Sequence, residues 1–305
     1  MTAQGSSLHF EERGLLRRLS SWVPLRLLCY ALGILAVVVI ATILTRLLVP
    51  PAPSPWHSWV ILKNVLLPIA AFALYAWLVK LLEQRPAREI DLRRGFTFLP
   101  GALAGAAMMA LFFLILWSLG LAQVSKGTGV TGLASEMIAP MVTAMGEELL
   151  FRAVLFRLLE EMSGTTTAIV VSAIVFGLAH AGNPGASAFS IAALAMDMGV
   201  LLALAYILTR NIWFAVGIHM GWNFTEGYIF GALNSGMRDP HSLLSTTLTG
   251  PQLITGGSFG PEGSILMVGI CIAASVMMLV SIRRRGGWEA PRLRLRVENT
   301  STVAP

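Results

Sequence analysis

Six residues with chemically useful side chains stand in three otherwise apolar stretches of this 305-residue chain. Carboxylates and imidazoles carry out general acid–base chemistry, and an amide donates a hydrogen bond without titrating. An ionisable side chain at a membrane-helix centre costs about 2.5 to 3.5 kcal/mol on insertion scales, so a group of them predicts a function. The six residues are Glu147, Glu148, Arg152, His180, His219 and Asn223.

The composition predicts that these residues lie in a membrane. Apolar residues make up 55% of the chain and charged residues only 12%, and the mean hydropathy is +0.72. A soluble domain carries about twice that charged fraction. We therefore exclude a soluble enzyme, a fibrous protein and a disordered chain, and predict an all-α, polytopic membrane helical bundle.

Apolar runs near the length of a membrane span predict about eight transmembrane helices. The runs are 27–49, 59–82, 98–121, 137–159, 166–181, 188–208, 212–230 and 264–282. The fifth is short, and it can begin earlier, at Gly164. The first run is too long for a secretory signal, so we interpret it as a retained helix.

The basic residues predict the orientation. Loops on one side of the eight-span arrangement contain Arg13, Arg17, Arg18, Arg26, Arg85, Arg88, Arg93, Arg94, Arg210 and the Arg283–Arg285 cluster, whereas those on the other contain Lys126 and Arg238. Positive residues in short loops resist translocation, so both termini are predicted to be cytoplasmic. The net charge of +6 then reflects topology and contact with anionic headgroups, and we expect no nucleic-acid partner.

This arrangement divides the chain into six consecutive parts, of which the fourth helix to the seventh form the core that carries the polar residues. The parts are a basic cytoplasmic segment (1–26), three helices with their loops (27–136), the core (137–232), an external loop (233–263), a last helix (264–282) and a basic cytoplasmic tail (283–305). Cys29 and Cys271 are predicted to be packing residues near opposite membrane faces.

Helical spacing predicts which polar side chains share a face. Glu148 and Arg152 lie four residues apart and can neutralise each other, whereas Glu147 points about 100° away. His219 and Asn223 also share a face. With about 1.5 Å rise per residue, Glu147, His180, His219 and Asn223 lie about 12 to 22 Å above the inner boundary, so one common site is feasible.

Other motifs in the spans indicate helix packing. G-A-L-A-G (101–105) and G-I-H-M-G (217–221) place small residues four apart, which lets helices approach closely. Asp197 and Glu226 also lie inside spans. We expect Asp197 to hydrogen-bond to a neighbouring helix and Glu226 to be hydrated near the outer boundary; the alternative is that they tune the cavity or contact substrate.

The three polar stretches together resemble the CPBP family of intramembrane proteases, which includes the CAAX prenyl endopeptidases and the Abi-type proteins. The family pattern E-E-x-x-x-R, F-x-x-x-H and H-x-x-x-N/D corresponds to Glu147 to Arg152, Phe176 to His180, and His219 to Asn223. The resemblance covers about residues 137–232. It implies hydrolysis of a peptide bond in a membrane-associated substrate.

The resemblance also implies roles for the six residues. Glu147 is the general base that activates water, and His180 helps to hold that water. His219 and Asn223 donate to the developing oxyanion. Glu148 is a supporting carboxylate with Arg152 as its structural partner. A carboxylate in a low-dielectric cavity is suited to proton transfer, and oxyanion donors are each worth about 3 to 4 kcal/mol.

Two alternatives remain open on the sequence alone. Glu147, His180 and His219 could hold a catalytic Zn²⁺, although the sequence has no H-E-x-x-H pair and Asn is a poor zinc ligand; we predict that no cofactor is needed. The protein could also be a transporter or a noncatalytic immunity protein, although no inverted repeat is evident. The frequent use of Ala, Leu and Arg suggests that the protein lies in a bacterial inner membrane.

Overall fold

The computed structural model describes residues 22–48, 58–129, 136–239 and 241–290. Several parts of the chain lie outside the described residues. They include most of the predicted basic N-terminal segment, part of the tail, and residues 49–57 and 130–135. The chain divides into two compact units, Met1–Arg88 and Glu89–Pro305. All six candidate residues belong to the second unit.

The first unit contains a pair of long apolar helices, α1 (Val23–Leu48) and α2 (Ser58–Glu83). The ring centroids of Tyr30 and Tyr75, both fully buried, lie 5.5 Å apart between them. Glu83, at the end of α2, accepts a hydrogen bond from the Tyr30 hydroxyl at 2.5 Å and lies 3.6 Å from Arg26. The two helices therefore run in opposite directions.

The second unit is a helical bundle with few strands. Two short 3₁₀ turns, Arg88–Ile90 and Leu92–Thr97, lead into the first of its helices. The helices are α3 (Phe98–Ser118), α4 (Ile138–Glu148), α5 (Arg157–Ala179), α6 (Ala188–Leu194), α7 (Leu201–Thr209), α8 (Trp213–Asn223), α9 (Gln252–Thr255) and α10 (Ile265–Arg284).

In the part of the chain that the structure describes, three π-helical segments interrupt the regular helices, and each carries a buried ionisable residue. Leu149–Phe156, which contains Arg152, joins α4 to α5. Ala195–Val200, which contains Asp197, joins α6 to α7. Phe224–Ile229, which contains Glu226, continues α8. Such segments are rare and concentrate at functional sites because they displace backbone groups from the regular hydrogen-bond pattern.

The predicted polytopic helical bundle is confirmed. Within the described residues, six helices are long and apolar enough to cross a membrane. One of these, Ile138–Ala179, has 42 residues and contains a non-helical break at Gly164 (φ 80°, ψ 168°), which separates the predicted fourth and fifth runs. The seventh predicted run forms α8 and its π-helical continuation. Its regular α-helical part is too short to count among the six helices that could cross a membrane.

The two small-residue motifs face each other between α3 and α8. A Cβ atom added at Gly101 or Gly105 would meet backbone atoms of α8, and one added at Gly217 or Gly221 would overlap the backbone of Phe98 or Ala102. The helices thus approach at a distance that only glycine allows. This contact, predicted from the sequence, fixes the helix that carries His219 and Asn223.

Ionic and hydrogen-bonded pairs tie loops together at one end of the second unit. Arg157 lies 3.2 Å from Glu89, and Arg210 lies 2.5 Å from Glu160. Thr165 donates to Glu160 at 2.7 Å and its backbone pairs with Glu289. The sequence analysis placed segments 83–95, 160–165 and 209–211 and the start of the tail on one side of the membrane. The residues of these segments that belong to the second unit contact one another.

The opposite end contains two small antiparallel ribbons. β1 (Ala122–Lys126) pairs with β4 (Leu244–Leu248), and β2 (Leu233–Asn234) with β3 (Met237–Arg238). The region predicted as an external loop therefore contains short strands, α9 and the 3₁₀ turn Pro261–Gly263. Parts of it are buried, including Phe259 and Glu262.

Candidate active site

Glu148 joins two of the motifs. It is fully buried, and its Oε1 accepts a hydrogen bond from Arg152 Nη1 at 3.0 Å, as the four-residue spacing predicts. The same oxygen lies 3.0 Å from His219 Nδ1. Because an ionised carboxylate can only accept, the imidazole donates through Nδ1. Glu148 therefore fixes the ring of His219 with Nε2 pointing away from it.

Arg152 holds the π-helical segments of two helices together. Its Nη2 donates to the carbonyl oxygens of Met198 at 2.8 Å and Gly199 at 3.3 Å. The guanidinium also lies 4.7 Å from the centroid of the Phe176 ring. With the bond to Glu148, the buried cation has partners on both sides, which offsets the loss of its hydration.

Phe176 explains the aromatic position of the F-x-x-x-H motif. Its ring lies beside Phe151, His180 and His219, with centroid distances of 4.9, 5.0 and 6.3 Å. Its carbonyl oxygen lies 2.9 Å from His180 Nδ1. A carbonyl only accepts, so His180 donates from Nδ1, and its Nε2 lies on the side of Glu147. Phe176 therefore orients His180 through its carbonyl group and packs its ring beside both imidazoles.

Glu147 faces the two imidazoles. Its Oε2 lies 3.9 Å from His180 Nε2 and 4.0 Å from His219 Nε2. This oxygen is buried and has no hydrogen-bond partner among the described residues, although 27% of the side chain is exposed. The distances exceed a direct hydrogen bond and suit one bridging water. The three groups are thus brought together as the sequence predicts.

Asn223 completes the set on the face of α8 that carries His219. Its side chain is partly buried. Its Oδ1 atom is buried and no hydrogen-bond partner for it occurs within the described ranges. An amide that no structural contact consumes can turn its NH₂ group to a ligand. The structure therefore brings five of the predicted residues into direct contact or near contact. Asn223 lies one helical turn after His219 on α8.

Two acidic residues behave differently from the sequence expectation. Asp197 and Glu226 are both fully buried, so the prediction of a hydrated Glu226 is wrong. Neither oxygen of Asp197 makes a hydrogen bond to any described residue, so the expected bond to a neighbouring helix is also absent. The Trp222 indole lies one turn before Glu226 and interacts with its carboxylate as a donor. The two groups do not form a hydrogen bond of normal geometry.

Glu262 is a buried acid near the site that the sequence analysis missed. It lies in the 3₁₀ turn before α10 and accepts a hydrogen bond from the Ser235 hydroxyl. Burial raises its pKa, while Ser235 and the nearby His180 and His219 act in the opposite direction. Its position in a Gly-rich loop gave no signal of burial.

A family model described as type II CAAX prenyl endopeptidase Rce1-like matches residues 130–225. This segment, about a third of the chain, contains all six candidate residues. Over these residues the chain is similar to the Rce1-like family. No match was found among curated proteins or among solved structures.

This similarity supports three general statements. The matched family is one of proteases, and the match supports a CPBP family intramembrane protease and, in general terms, a peptide hydrolase. A protease of this family implies a membrane-associated peptide substrate. With its long apolar helices the chain is an integral membrane protein.

Proposed function

We propose that the chain is an intramembrane endopeptidase in which Glu147 activates water for attack on a peptide carbonyl. The proposal depends mainly on one observation, the Glu147 Oε2 atom that lies about equally far from two imidazole Nε2 atoms and makes no hydrogen bond to a described residue. A water molecule between these three atoms would be within reach of a base and held by imidazoles.

In this mechanism Glu147 takes a proton from the bridging water as the oxygen attacks the carbonyl carbon. His180, whose Nδ1–H is bonded to the Phe176 carbonyl, accepts a hydrogen bond from that water through Nε2 when neutral. The tetrahedral intermediate then receives a proton at the leaving nitrogen from Glu147. The C–N bond breaks and the carboxyl and amine products separate.

The negative oxygen of the intermediate needs donors. His219 can donate through Nε2 only when both its nitrogens carry protons, and the Glu148 carboxylate on Nδ1 stabilises that cation. Asn223 donates from its amide whatever the pH. We thus assign to Glu148 and Arg152 the positioning of His219, and to His219 and Asn223 the stabilisation of the oxyanion.

Cleavage of a quenched-fluorescent membrane peptide by the protein in detergent micelles tests the proposal. We expect Glu147→Gln and His180→Ala to lower kcat/KM at least 100-fold, the lower limit usual for an acid–base group. Both side chains are partly exposed, so the variants should keep the wild-type unfolding temperature. Wild-type cleavage by either folded variant would refute the assignment.

The zinc mechanism is a second candidate because the same three side chains would provide its ligands. Zinc ligand atoms lie roughly 3.3 to 3.6 Å apart in a tetrahedral site, close to the 3.9 and 4.0 Å found between Glu147 and the imidazoles. We propose the metal-free form. It requires that cleavage persists after treatment with a strong chelator; loss of activity, restored by zinc alone, would establish the alternative.

The remaining sequence-based expectations are part of the same proposal. We propose that both termini are cytoplasmic, that basic residues there contact anionic headgroups, that no nucleic acid is bound, and that the protein lies in a bacterial inner membrane. Labelling of single cysteines introduced at residues 88 and 127 of intact cells would test the orientation.

A further inference from the structure

A second group of potential ligands lies at the opposite end of the unit from the ionic pairs, near the β1–β4 ribbon. Glu136, Asp239 and His241 each offer one ligand atom, and these atoms all lie within 4.8 Å of one another. Among the described residues, the candidate active-site side chains are not gathered as closely as this. None of the proposed catalytic steps uses Glu136, Asp239 or His241.

Backbone hydrogen bonds of three chain segments place this group. Beyond the ladder of β1 and β4, the 127–129 segment bonds to Ser242 and Leu243. The amide of Leu243 donates to the carbonyl of Tyr228 at 2.8 Å, at the end of the π-helical segment after α8. Asp239 and His241 lie between β3 and β4, and these backbone hydrogen bonds anchor the residues that follow His241.

The side chains are arranged for one ion. Glu136 Oε1 lies 3.5 Å from His241 Nδ1, within the roughly 3.3 to 3.6 Å separation of zinc ligand atoms. Asp239 Oδ1 accepts a hydrogen bond from the His241 amide at 3.1 Å, which orients the carboxylate. Only 5% of Glu136 is exposed, so its carboxylate is shielded from bulk water.

The chemistry of these donors selects the ion. An imidazole nitrogen suits zinc and other first-row transition metals, whereas calcium and magnesium prefer oxygen ligands throughout. Two carboxylates and a neutral imidazole around Zn²⁺ make a neutral site with a fourth position for water. The three side chains thus have the number and the type of zinc ligands, and the Glu136–His241 pair has their spacing.

We infer that Glu136, Asp239 and His241 form a Zn²⁺ site that ties the start of α4 to the segment before β4. Glu136 lies two residues before the start of α4, the helix that carries Glu147. Asp239 lies near Gly227, in the π-helical segment that continues the helix of His219 and Asn223. The ion therefore braces the outer ends of the two helices that carry the proposed base and oxyanion donors.

Metal content and unfolding temperature test this inference without using activity. We expect the full-length protein, stripped with chelator and dialysed against micromolar ZnCl₂, to retain one zinc per chain and to unfold at a higher temperature than the metal-free form, because a ligand that binds only the folded state stabilises it. Magnesium at the same concentration should produce neither effect.

Variants distinguish this site from a zinc ion at the candidate active site. His241→Ala and Glu136→Gln should each weaken zinc binding at least 10-fold and abolish the shift in unfolding temperature. His180→Ala should bind zinc like the wild type, so failure of the proposed catalytic role does not affect this result.

Three outcomes would overturn the inference. The first is that zinc produces no retention and no thermal shift, which would leave a Glu136–His241 ion pair as the explanation of the cluster. The second is that zinc binding survives both variants of the cluster. The third is that His180→Ala abolishes zinc binding. The unfolding temperature of each metal-free variant shows whether the variant is folded.

Discussion

Two groups of charged residues in the second unit use similar side chains in different ways. At one end, Glu160 bonds to Arg210 and Thr165, and Glu89 lies beside Arg157. In the candidate site, Glu148 has two partners, but Glu147 Oε2, Glu148 Oε2 and Asn223 Oδ1 have none within the described chain. The first group joins loops, whereas the second retains buried polar atoms that can act on a substrate.

The two groups also differ in access to water. Arg210 keeps 35% of its side chain exposed, whereas Arg152 is 2% exposed. Ion pairs near water contribute little because hydration competes with them, but removal of one partner from a buried pair leaves an uncompensated charge. The same kind of arginine substitution should therefore have very different effects at the two places.

The largest effect is expected for Arg152. Arg152→Met should lower the free energy of unfolding by about 3 to 5 kcal/mol, since it leaves Glu148 buried with His219 as its remaining partner and removes the bonds to two carbonyls. Arg210→Met should lower it by about 1 kcal/mol or less. Thermal unfolding in micelles measures both, and equal losses would contradict the comparison.

A pair of asparagines separates catalysis from stability. Asn223→Ala should lower kcat about 100- to 1,000-fold with little change in unfolding temperature, because the proposed role is oxyanion stabilisation. Asn211 instead accepts from the Trp213 amide at 3.0 Å and donates to the Asp91 carbonyl. Asn211→Ala should cost about 1 kcal/mol of stability and leave kcat unchanged.

The asparagine comparison fails if both variants lose activity in proportion to stability. That result would make Asn223 a packing residue. A peptide-cleavage assay at saturating substrate, run below the unfolding temperature of both variants, distinguishes a role of Asn223 in catalysis from a role in packing.

Close packing of α3 against α8 should have a smaller effect. Gly221→Ala places a methyl group against the backbone of Ala102, and overpacking of this kind typically costs about 1 to 3 kcal/mol. Activity should fall as well, because the helix that carries His219 must move. Gly269→Ala on α10 is the matched control, since nothing lies within 4 Å of the added atom; a destabilised Gly269→Ala would undermine the interpretation.

Local spacing explains what the sequence could predict. Glu148 with Arg152, and Gly101 and Gly105 with Gly217 and Gly221, follow from positions four apart on a helix and from the need of small residues at close contacts. The separation of the fourth and fifth apolar runs, which coincides with the break at Gly164, also follows from the hydropathy pattern. These features depend only on neighbours along the chain and on the membrane as a solvent.

Other features depend on contacts between distant segments. The bond from His219 to Glu148 joins residues 71 positions apart, and Glu262 is buried although its loop is rich in glycine and serine. The hydrophobic pattern is equally compatible with α-helix and with π-helical segments, so it could not locate them. Glu136, Asp239 and His241 gave no motif because Glu136 is distant in sequence from the other two and meets them only in the folded chain.

The smallest effect we predict concerns pH and Glu262. Because burial raises its pKa in the folded state, folding favours the protonated carboxyl group. The associated stability is therefore complete at pH values below the ordinary glutamate pKa and is lost as the pH rises from there through the folded-state pKa. Glu262→Gln should remove this loss and flatten the dependence of unfolding temperature on pH.

Ser235→Ala provides the opposite change. The Ser235 hydroxyl donates to Glu262 and favours the ionised form, so its removal should raise the folded-state pKa further and extend the loss of stability to higher pH. Unfolding temperatures between about pH 4 and pH 8 measure both variants. If Glu262→Gln retains the wild-type pH dependence while Ser235→Ala changes it, another group near Ser235 carries the proton, and Glu262 is ionised like the paired acids at the other end of the unit.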